Sequence, residues 1–296
     1  MLTLSAKFRQ SFPIVHAMAK RRISDFEGFQ KVLNNAKSII VLTGAGISSE
    51  SGIPTFRGEG GWWKTYRSAD LATPQAFQSN PALVWEFYNY RRHVALNTHP
   101  NNAHKALSEY EKKCKSEGHH LAIITQNVDG LHKRAGSENI IELHGNLFKT
   151  ICTNRKCIFI DENYDDPICK AFKLMSFRDP NVKDDSLPVV MKEDLPKCKK
   201  CNSLVRPYIV WFGENLDHEV LRKSRELVES CDLCLVVGTS SVVYPAAMFA
   251  PLVAQRGMPV AEFNITEEPA DNSFAFHFPG KCGTTLQKAL GIELTL

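Results

Sequence analysis

An α/β fold, a parallel sheet with helices on both faces, is predicted by three features of this sequence. Short runs dense in Ile, Val and Leu recur at Ser38–Thr43, Leu121–Thr125, Ile140–His144, Cys234–Gly238 and Pro259–Asn264. Stretches of helical period lie between them, at Asp25–Ala36, Pro81–Asn97, Ala103–Glu117 and Asp217–Glu229. The segments that break the pattern, rich in Gly, Asn, Asp and His, fall at the carboxyl ends of the apolar runs. Runs without alternation are buried on both faces, and in a chain that alternates strand with helix this means a parallel sheet covered twice. Ligands of such sheets sit where the carboxyl ends open.

Composition supports a folded chain. With 296 residues, 43% hydrophobic and 23% charged, a large core can be buried, which excludes global disorder and fibrous architecture. The net charge of +4 comes from the first 24 residues, which hold five of the 36 basic residues and no acid; the remaining 31 bases face 32 acids. That body carries no bulk electrostatic case for nucleic acid, whose footprint needs a basic face. Residues 1–24 mix Lys7, Arg9, Lys20, Arg21 and Arg22 with Leu4, Phe8, Phe12, Ile14 and Val15, as a mitochondrial transit segment does; a frayed basic terminus is the alternative. Leu233 to Ala254 is 22 residues without a charge, long enough to cross a bilayer. Gly238-Thr239-Ser240-Ser241, Pro245 and Pro251 interrupt it, so it reads as strand, polar loop and helix, with no membrane role.

Nine cysteines without a secretory signal point to thiols or metal. Cys152-x4-Cys157 and Cys198-x2-Cys201 form two close pairs that can give four thiolates to a tetrahedral Zn²⁺, although the first pair is wider than usual and Cys169 could replace one ligand. Cys231 and Cys234 run into Leu235-Val236-Val237 and read as small buried thiols. The acidic, weakly periodic segment Ile158–Lys197 is an insert tied at its base by the two pairs, giving a small zinc-binding insert domain at 151–202 within a domain spanning 25–296.

Three clusters carry the chemistry. After the first strand, Thr43-Gly44-Ala45-Gly46-Ile47-Ser48 makes a strand, Gly-x-Gly turn and helix start, the Rossmann-like way of bringing backbone amides to a pyrophosphate. Ser49 stands where the third glycine of the dinucleotide fingerprint belongs, and no acid closes a second strand about twenty residues on, so this is not a standard dehydrogenase site. Ser51-Gly52-Ile53-Pro54-Thr55-Phe56-Arg57-Gly58 follows as a loop able to cover a ligand. The second cluster, Thr125-Gln126-Asn127-Val128-Asp129, offers amides and a carboxylate to a carboxamide and a ribose. The third is Glu142-Leu143-His144-Gly145-Asn146; a strand-end histidine is often structural, but at one sheet edge with the other two clusters it suits proton transfer near neutral pH.

Together with Trp211-Phe212-Gly213-Glu214, Gly238-Thr239-Ser240-Ser241, Asn264 and the cysteine pairs, these segments resemble the sirtuins, NAD-dependent protein lysine deacylases, in family order over about residues 30 to 290. The resemblance implies NAD as co-substrate and one structural zinc per chain held by Cys152, Cys157, Cys198 and Cys201. It places Gly44, Ala45, Gly46, Ser48, Glu50, Phe56, Arg57, Gln126, Asn127, Asp129, Gly238, Thr239, Ser240, Asn264 and Cys282 around the NAD. His144 and Asn127 are implied as catalytic, His144 being the general base for the ribose hydroxyl. The products implied are nicotinamide, free lysine and 2′-O-acyl-ADP-ribose. Phe56 is implied to shield the reacting centre from water. An acylated lysine segment of a partner protein is implied to pair in extended form beside Val210, Phe212, Gly213, Glu214 and Tyr244, on a chain expected to be monomeric.

The helix Pro81–Asn97 bears on which acyl group is removed. At 100° per residue Val84, Phe87, Tyr88, Val94 and Ala95 make one apolar stripe, and Arg91 falls in its middle. A guanidinium there needs an anion, either an acid elsewhere in the fold or a ligand. Tyr88, three residues earlier, can bracket the same ligand. Tyr88-x-x-Arg91 with the small Ala72 resembles the mitochondrial sirtuin five type, which implies removal of succinyl, malonyl and glutaryl groups. A plain deacetylase, an ADP-ribosyltransferase of the same fold and a non-catalytic zinc or peptide-binding module, which would need neither His144 nor nicotinamide release, are the rival readings.

Overall fold

The computed structural model describes residues 22–55, 61–174 and 189–294. Seven parallel strands form the main sheet in the order Arg22–Ile23, Phe276–Pro279, Val260–Asn264, Leu233–Val237, Ser38–Thr43, His120–Thr125, Ile140–Glu142. Alternate side chains of the inner strand Ser38–Thr43 enter separate cores, as a period of two requires. Ile39 and Val41 pack with Phe29, Leu107 and Leu286 beneath the helices Phe26–Asn35, Asn102–Ser116 and Cys282–Leu290. Ile40 and Leu42 pack on the other face with Val228, Phe249 and Val253 of the helices His218–Ser230 and Phe249–Gln255. The Phe29 ring meets Phe263, Phe276 and Phe278 edge-on at 5.5–5.8 Å, each pair adding roughly 0.5–1.5 kcal/mol beyond its buried area.

Helix starts follow local chemistry. Asp25, Asn80, Asn101 and Asp217 each accept a backbone N–H of the first turn, satisfying donors that the helix leaves unpaired. The polar stretch after Leu233–Val237 is a loop, and a 3-10 turn at Ala246–Met248 then leads into Phe249–Gln255, as the sequence predicts. Among the described residues no helix is long and apolar enough to cross a membrane.

A third core lies off the sheet. Trp85, Phe87 and Tyr88 of the helix Pro81–Leu96 pack there with Leu147, Phe148, Phe172 and Trp211. This small lobe contains an antiparallel sheet in the order Ile160–Glu162, Gly145–Cys152, Val205–Ile209, so its strands draw on residues on both sides of 151–202. The expected strand Ile140–His144 is shorter in the structure. It ends at Glu142, because Gly145 takes φ +82°, and a Cβ there would lie 2.0 Å from the Tyr208 carbonyl oxygen. The chain therefore turns out of the main sheet at His144 and enters the small lobe one residue later. Most of the expected transit segment lies outside the described residues.

Candidate active site

Chain order reverses between Leu233–Val237 and Ser38–Thr43, which makes their carboxyl ends the switch point where α/β sheets hold ligands. Both ends are glycine-rich because the two loops touch. The Gly46 amide donates to the Gly238 carbonyl at 2.7 Å, and a Cβ on Gly44 would meet the Thr239 Cβ at 2.7 Å. Gly238 has φ +58°, and a Cβ there would lie 2.2 Å from the Ile47 amide nitrogen. The helix Ala45–Ser49 begins at Gly44 with no side-chain cap, and Ser240, next to Thr239 in sequence, is exposed. Asn264 donates to the Thr239 carbonyl at 2.9 Å, which ties the next strand end to this cradle. Glu50 accepts the Gly283 amide at 2.9 Å, beside buried Cys282, whose thiol is pushed up to about 12 by burial and by the Glu50 charge. Phe56 and Arg57 lie outside the described residues.

The second cluster is fixed from behind. Asn127 Nδ2 donates to the Gly44 carbonyl at 2.9 Å and to the Ser48 hydroxyl at 3.1 Å, and Ser48 donates to Asp129 at 2.8 Å. Gln126 donates to the Thr239 hydroxyl at 3.1 Å. Burial raises the Asp129 carboxyl, against the opposing Leu131 amide, Ser48 hydroxyl and Arg91 charge. The Asn127 amide donates to Thr125 Oγ1, which also accepts from the Thr43 hydroxyl at 2.8 Å; Thr43 Oγ1 in turn meets Nε2 of buried His132 at 3.0 Å. The sequence reading missed this support, although two threonines ending adjacent apolar strands are a visible signal.

His144 sits at the join of the two lobes. Its Nδ1 is 3.1 Å from the Gln126 carbonyl, an acceptor only, so Nδ1 carries the hydrogen and Nε2 keeps its lone pair. Burial lowers its pKa, opposed by that backbone bond, and favours the neutral imidazole. The His144 carbonyl accepts from the Val210 amide at 2.9 Å. The next residue, Trp211, donates its indole N–H to the Tyr88 hydroxyl at 2.9 Å. The Arg91 guanidinium carbon lies 5.7 Å from the Tyr88 ring centroid; burial lowers its pKa while Tyr88 and Asp129 oppose that shift. Buried Ala72 accepts the Phe212 amide at 2.9 Å. Predicted site residues from three distant segments thus meet around residues 210–212.

Phe212 and Gly213 are exposed, as are Val243 and Tyr244 of the loop after Leu233–Val237. Glu214 is engaged within the protein: both its oxygens accept from Arg206, at 2.6 and 2.7 Å, and one also accepts from the Trp211 amide. It shapes the loop that carries Phe212. Trp211, read in the sequence only as part of the Trp211-Phe212-Gly213-Glu214 motif, gains a definite contact here: its buried indole finds its acceptor in Tyr88.

The four predicted metal ligands converge. The Cys152, Cys157, Cys198 and Cys201 sulfurs all lie within 4.8 Å of one another, with Cys152 and Cys201 at 3.4 Å and Cys157 and Cys198 at 3.8 Å. Tetrahedral Zn²⁺ with bonds of about 2.3 Å sets its sulfurs about 3.8 Å apart, so the donor set fits zinc. Cys169 stands outside the quartet and donates to the Asp194 carbonyl. Cys231 and Cys234 are fully buried, as expected.

Residues 44–245 match the model of the Sir2 family. A Daphnia pulex protein named NAD-dependent protein deacylase is 56% identical over 90% of this chain and 96% of its own length. A dog protein named NAD-dependent protein deacylase sirtuin-5, mitochondrial, is 53% identical over 94% of this chain and 88% of its own. A Sir2 homologue solved as an NAD complex superposes with a TM-score of 0.75 at 40% identity, covering 90% of this chain and 92% of that one. A fold whose switch point, bridging histidine and cysteine quartet fall where the sequence motifs place them, matched in these ways over most of its length, is that of a relative: the chain belongs to the Sir2 family.

Proposed function

We propose that this chain removes acidic acyl groups, succinyl, malonyl and glutaryl, from protein lysines with NAD as co-substrate, releasing nicotinamide, 2′-O-acyl-ADP-ribose and free lysine. The deacylase activity and the NAD requirement follow from the names its close relatives carry, and a mitochondrial location agrees both with those names and with the basic, acid-free first 24 residues. The observation that carries the acyl choice is the placement of Tyr88 and Arg91 on one helix, bonded through Trp211 to the segment that also holds His144.

NAD, when bound, supplies the activated ribose carbon that the acyl oxygen attacks. The protein's part is to hold, orient and move protons. The Gly44–Gly46 and Gly238-Thr239-Ser240 loops cradle the diphosphate, where a side chain on any of the three glycines would clash. Asn264 serves the adenosine half, with Glu50 and Cys282 behind it at the helix start. Gln126, Asn127, Ser48 and Asp129 line the ribose and nicotinamide end. His144 takes the ribose hydroxyl proton at Nε2, its ring fixed through Nδ1. The substrate segment lies extended between Phe212-Gly213 and Val243-Tyr244, with backbone near Val210 and Glu214. Arg91 gives a forked donor to the acyl carboxylate, Tyr88 adds a hydroxyl, and Ala72 leaves room for the chain. The cysteine quartet holds zinc, whose contribution is to fold the small lobe.

The test is product analysis of a succinyl-lysine peptide with labelled NAD. Free lysine peptide and 2′-O-succinyl-ADP-ribose are expected, and His144→Ala should fold normally but lose this turnover. Label ending on protein as ADP-ribose, or a His144→Ala protein of full activity, would overturn the reading.

A further inference from the structure

Next to Arg91 in sequence and about 100° further round the helix, Arg92 is 1% exposed. Its guanidinium is set in a cradle of oxygens from two other segments. Nη1 donates to the Leu147 carbonyl at 2.6 Å. Nη2 is within 2.8–2.9 Å of the Asn163 carbonyl, the Asn163 side-chain oxygen and the Asp165 carbonyl. Its carbon also lies 5.5 Å from the Phe148 ring centroid, and Phe148 stacks on Tyr164 at 5.0 Å. Burial lowers the Arg92 pKa to about 10, so it stays charged at neutral pH. Flanking residues of the same helix grip the same loop: Asn89 accepts the Ile168 amide at 3.0 Å, and His93 lies 2.6 Å from Asp166.

Each partner has a place in the site. Leu147 is three residues past His144 on the strand Gly145–Cys152, and its amide donates to Val128, between Asn127 and Asp129, at 2.9 Å. Asn163 and Asp165 belong to the insert loop, where the Asn163 amide donates to the Phe148 carbonyl at 2.8 Å. The helix turn that bears Tyr88 and Arg91 is thereby locked to the strand that leaves His144. A carboxylate clamp works only when its donors are held within about half an ångström of the position that the acyl length dictates. Only a planar, multi-donor guanidinium spans such divergent carbonyls; an ammonium would reach one or two of them.

We propose that Arg92, in its cradle of Leu147, Asn163 and Asp165, is a positioning residue for acyl specificity: it sets the distance between the Tyr88–Arg91 clamp and His144. It rests on the acidic-acyl reading above, and it assigns selectivity to a contact that touches neither NAD nor substrate. The cradle fixes the helix turn from a face next to the one that carries Tyr88 and Arg91.

The experiment compares Arg92→Lys, Asn163→Ala and Arg91→Met with the unaltered enzyme, reading KM and kcat on matched succinyl and acetyl peptides and KM for NAD. Arg92→Lys is expected to raise the succinyl KM about tenfold while acetyl KM and NAD KM stay within about twofold, and Asn163→Ala to shift the succinyl KM about threefold the same way. A purely structural Arg92 would lower thermal stability and change both peptides alike, and that result overturns the proposal. If Arg92→Lys does not fold, Asn163→Ala decides: a succinyl-selective rise supports the proposal, and an equal or absent change overturns it. Arg91→Met separates the two readings. If it fails to discriminate the peptides, the acidic-acyl reading falls and this inference with it; if it discriminates while the cradle variants do not, the positioning role alone falls.

Discussion

Trp211 donates its indole hydrogen to the Tyr88 hydroxyl at 2.9 Å, with both side chains buried. A hydroxyl that accepts there keeps its own proton to give, and burial raises the Tyr88 pKa, so the phenol stays protonated and ready to donate. Tyr88→Phe is therefore expected to raise the succinyl-peptide KM about tenfold, the worth of one hydrogen bond to a charged group. Trp211→Phe should act in the same direction and more weakly. Steady-state kinetics on succinyl and acetyl peptides checks both, since the acetyl KM should hardly move.

Acid should unfold the protein through its interior histidines. His104 and His132 lie with ring centroids 4.9 Å apart; burial lowers His132 to about 4 and His104 well below the ordinary value of 6.5. Below pH 6.5 the unfolded chain binds protons that the folded chain refuses, so stability is full above that pH and declines as pH falls toward 4. His132 alone accounts for about 3 kcal/mol of that loss. Denaturant titrations at about pH 7.5 and about pH 4.5 measure it, and His132→Asn should flatten the dependence. Burial lowers the His144 pKa from the ordinary value of 6.5, which moves the acid limb of kcat/KM downward with it, because the base must be neutral to work.

The strand ends most plainly legible in the sequence were those with apolar runs: Ser38–Thr43 appears with its predicted bounds, and His120–Thr125 and Val260–Asn264 differ from theirs by one residue. Phe276–Pro279 was not legible, since four residues including a proline give no periodic signal, and the two-residue edge strand Arg22–Ile23 gives less. The site was legible where one residue type has one use, as with His144 and the cysteine quartet. It was not legible where use depends on direction. Arg91 and Arg92 are adjacent and alike; the apolar stripe selects Arg91, but the helix is wedged between segments and also buries Trp85, Asn89 and Arg92 outside that stripe. A pattern of hydrophobicity cannot register a buried arginine satisfied by backbone carbonyls.

Zinc content follows from the sulfur geometry. Metal analysis of protein purified without chelator should find about one zinc per chain, and chelation should lower Tm. Cys152→Ser should lose the metal and Cys169→Ser should keep it, because Cys169 lies outside the quartet.

Gly145→Ala should be among the most damaging single changes. The new methyl would sit 2.0 Å from the Tyr208 carbonyl oxygen at φ +82°, and that oxygen belongs to backbone that cannot move aside cheaply. A loss of about 3 kcal/mol or more in urea unfolding is expected, with turnover falling as His144 shifts.

The acidic-acyl clamp of Tyr88 and Arg91 is tested by NAD-dependent lysine release from one peptide sequence carrying acetyl, succinyl, malonyl or glutaryl groups, with Arg91→Met run beside the unaltered enzyme. A much lower KM is expected for the acidic acyl groups than for acetyl, with that preference lost in Arg91→Met. An enzyme that prefers acetyl-lysine, or an Arg91→Met variant that keeps the acidic preference, would contradict it.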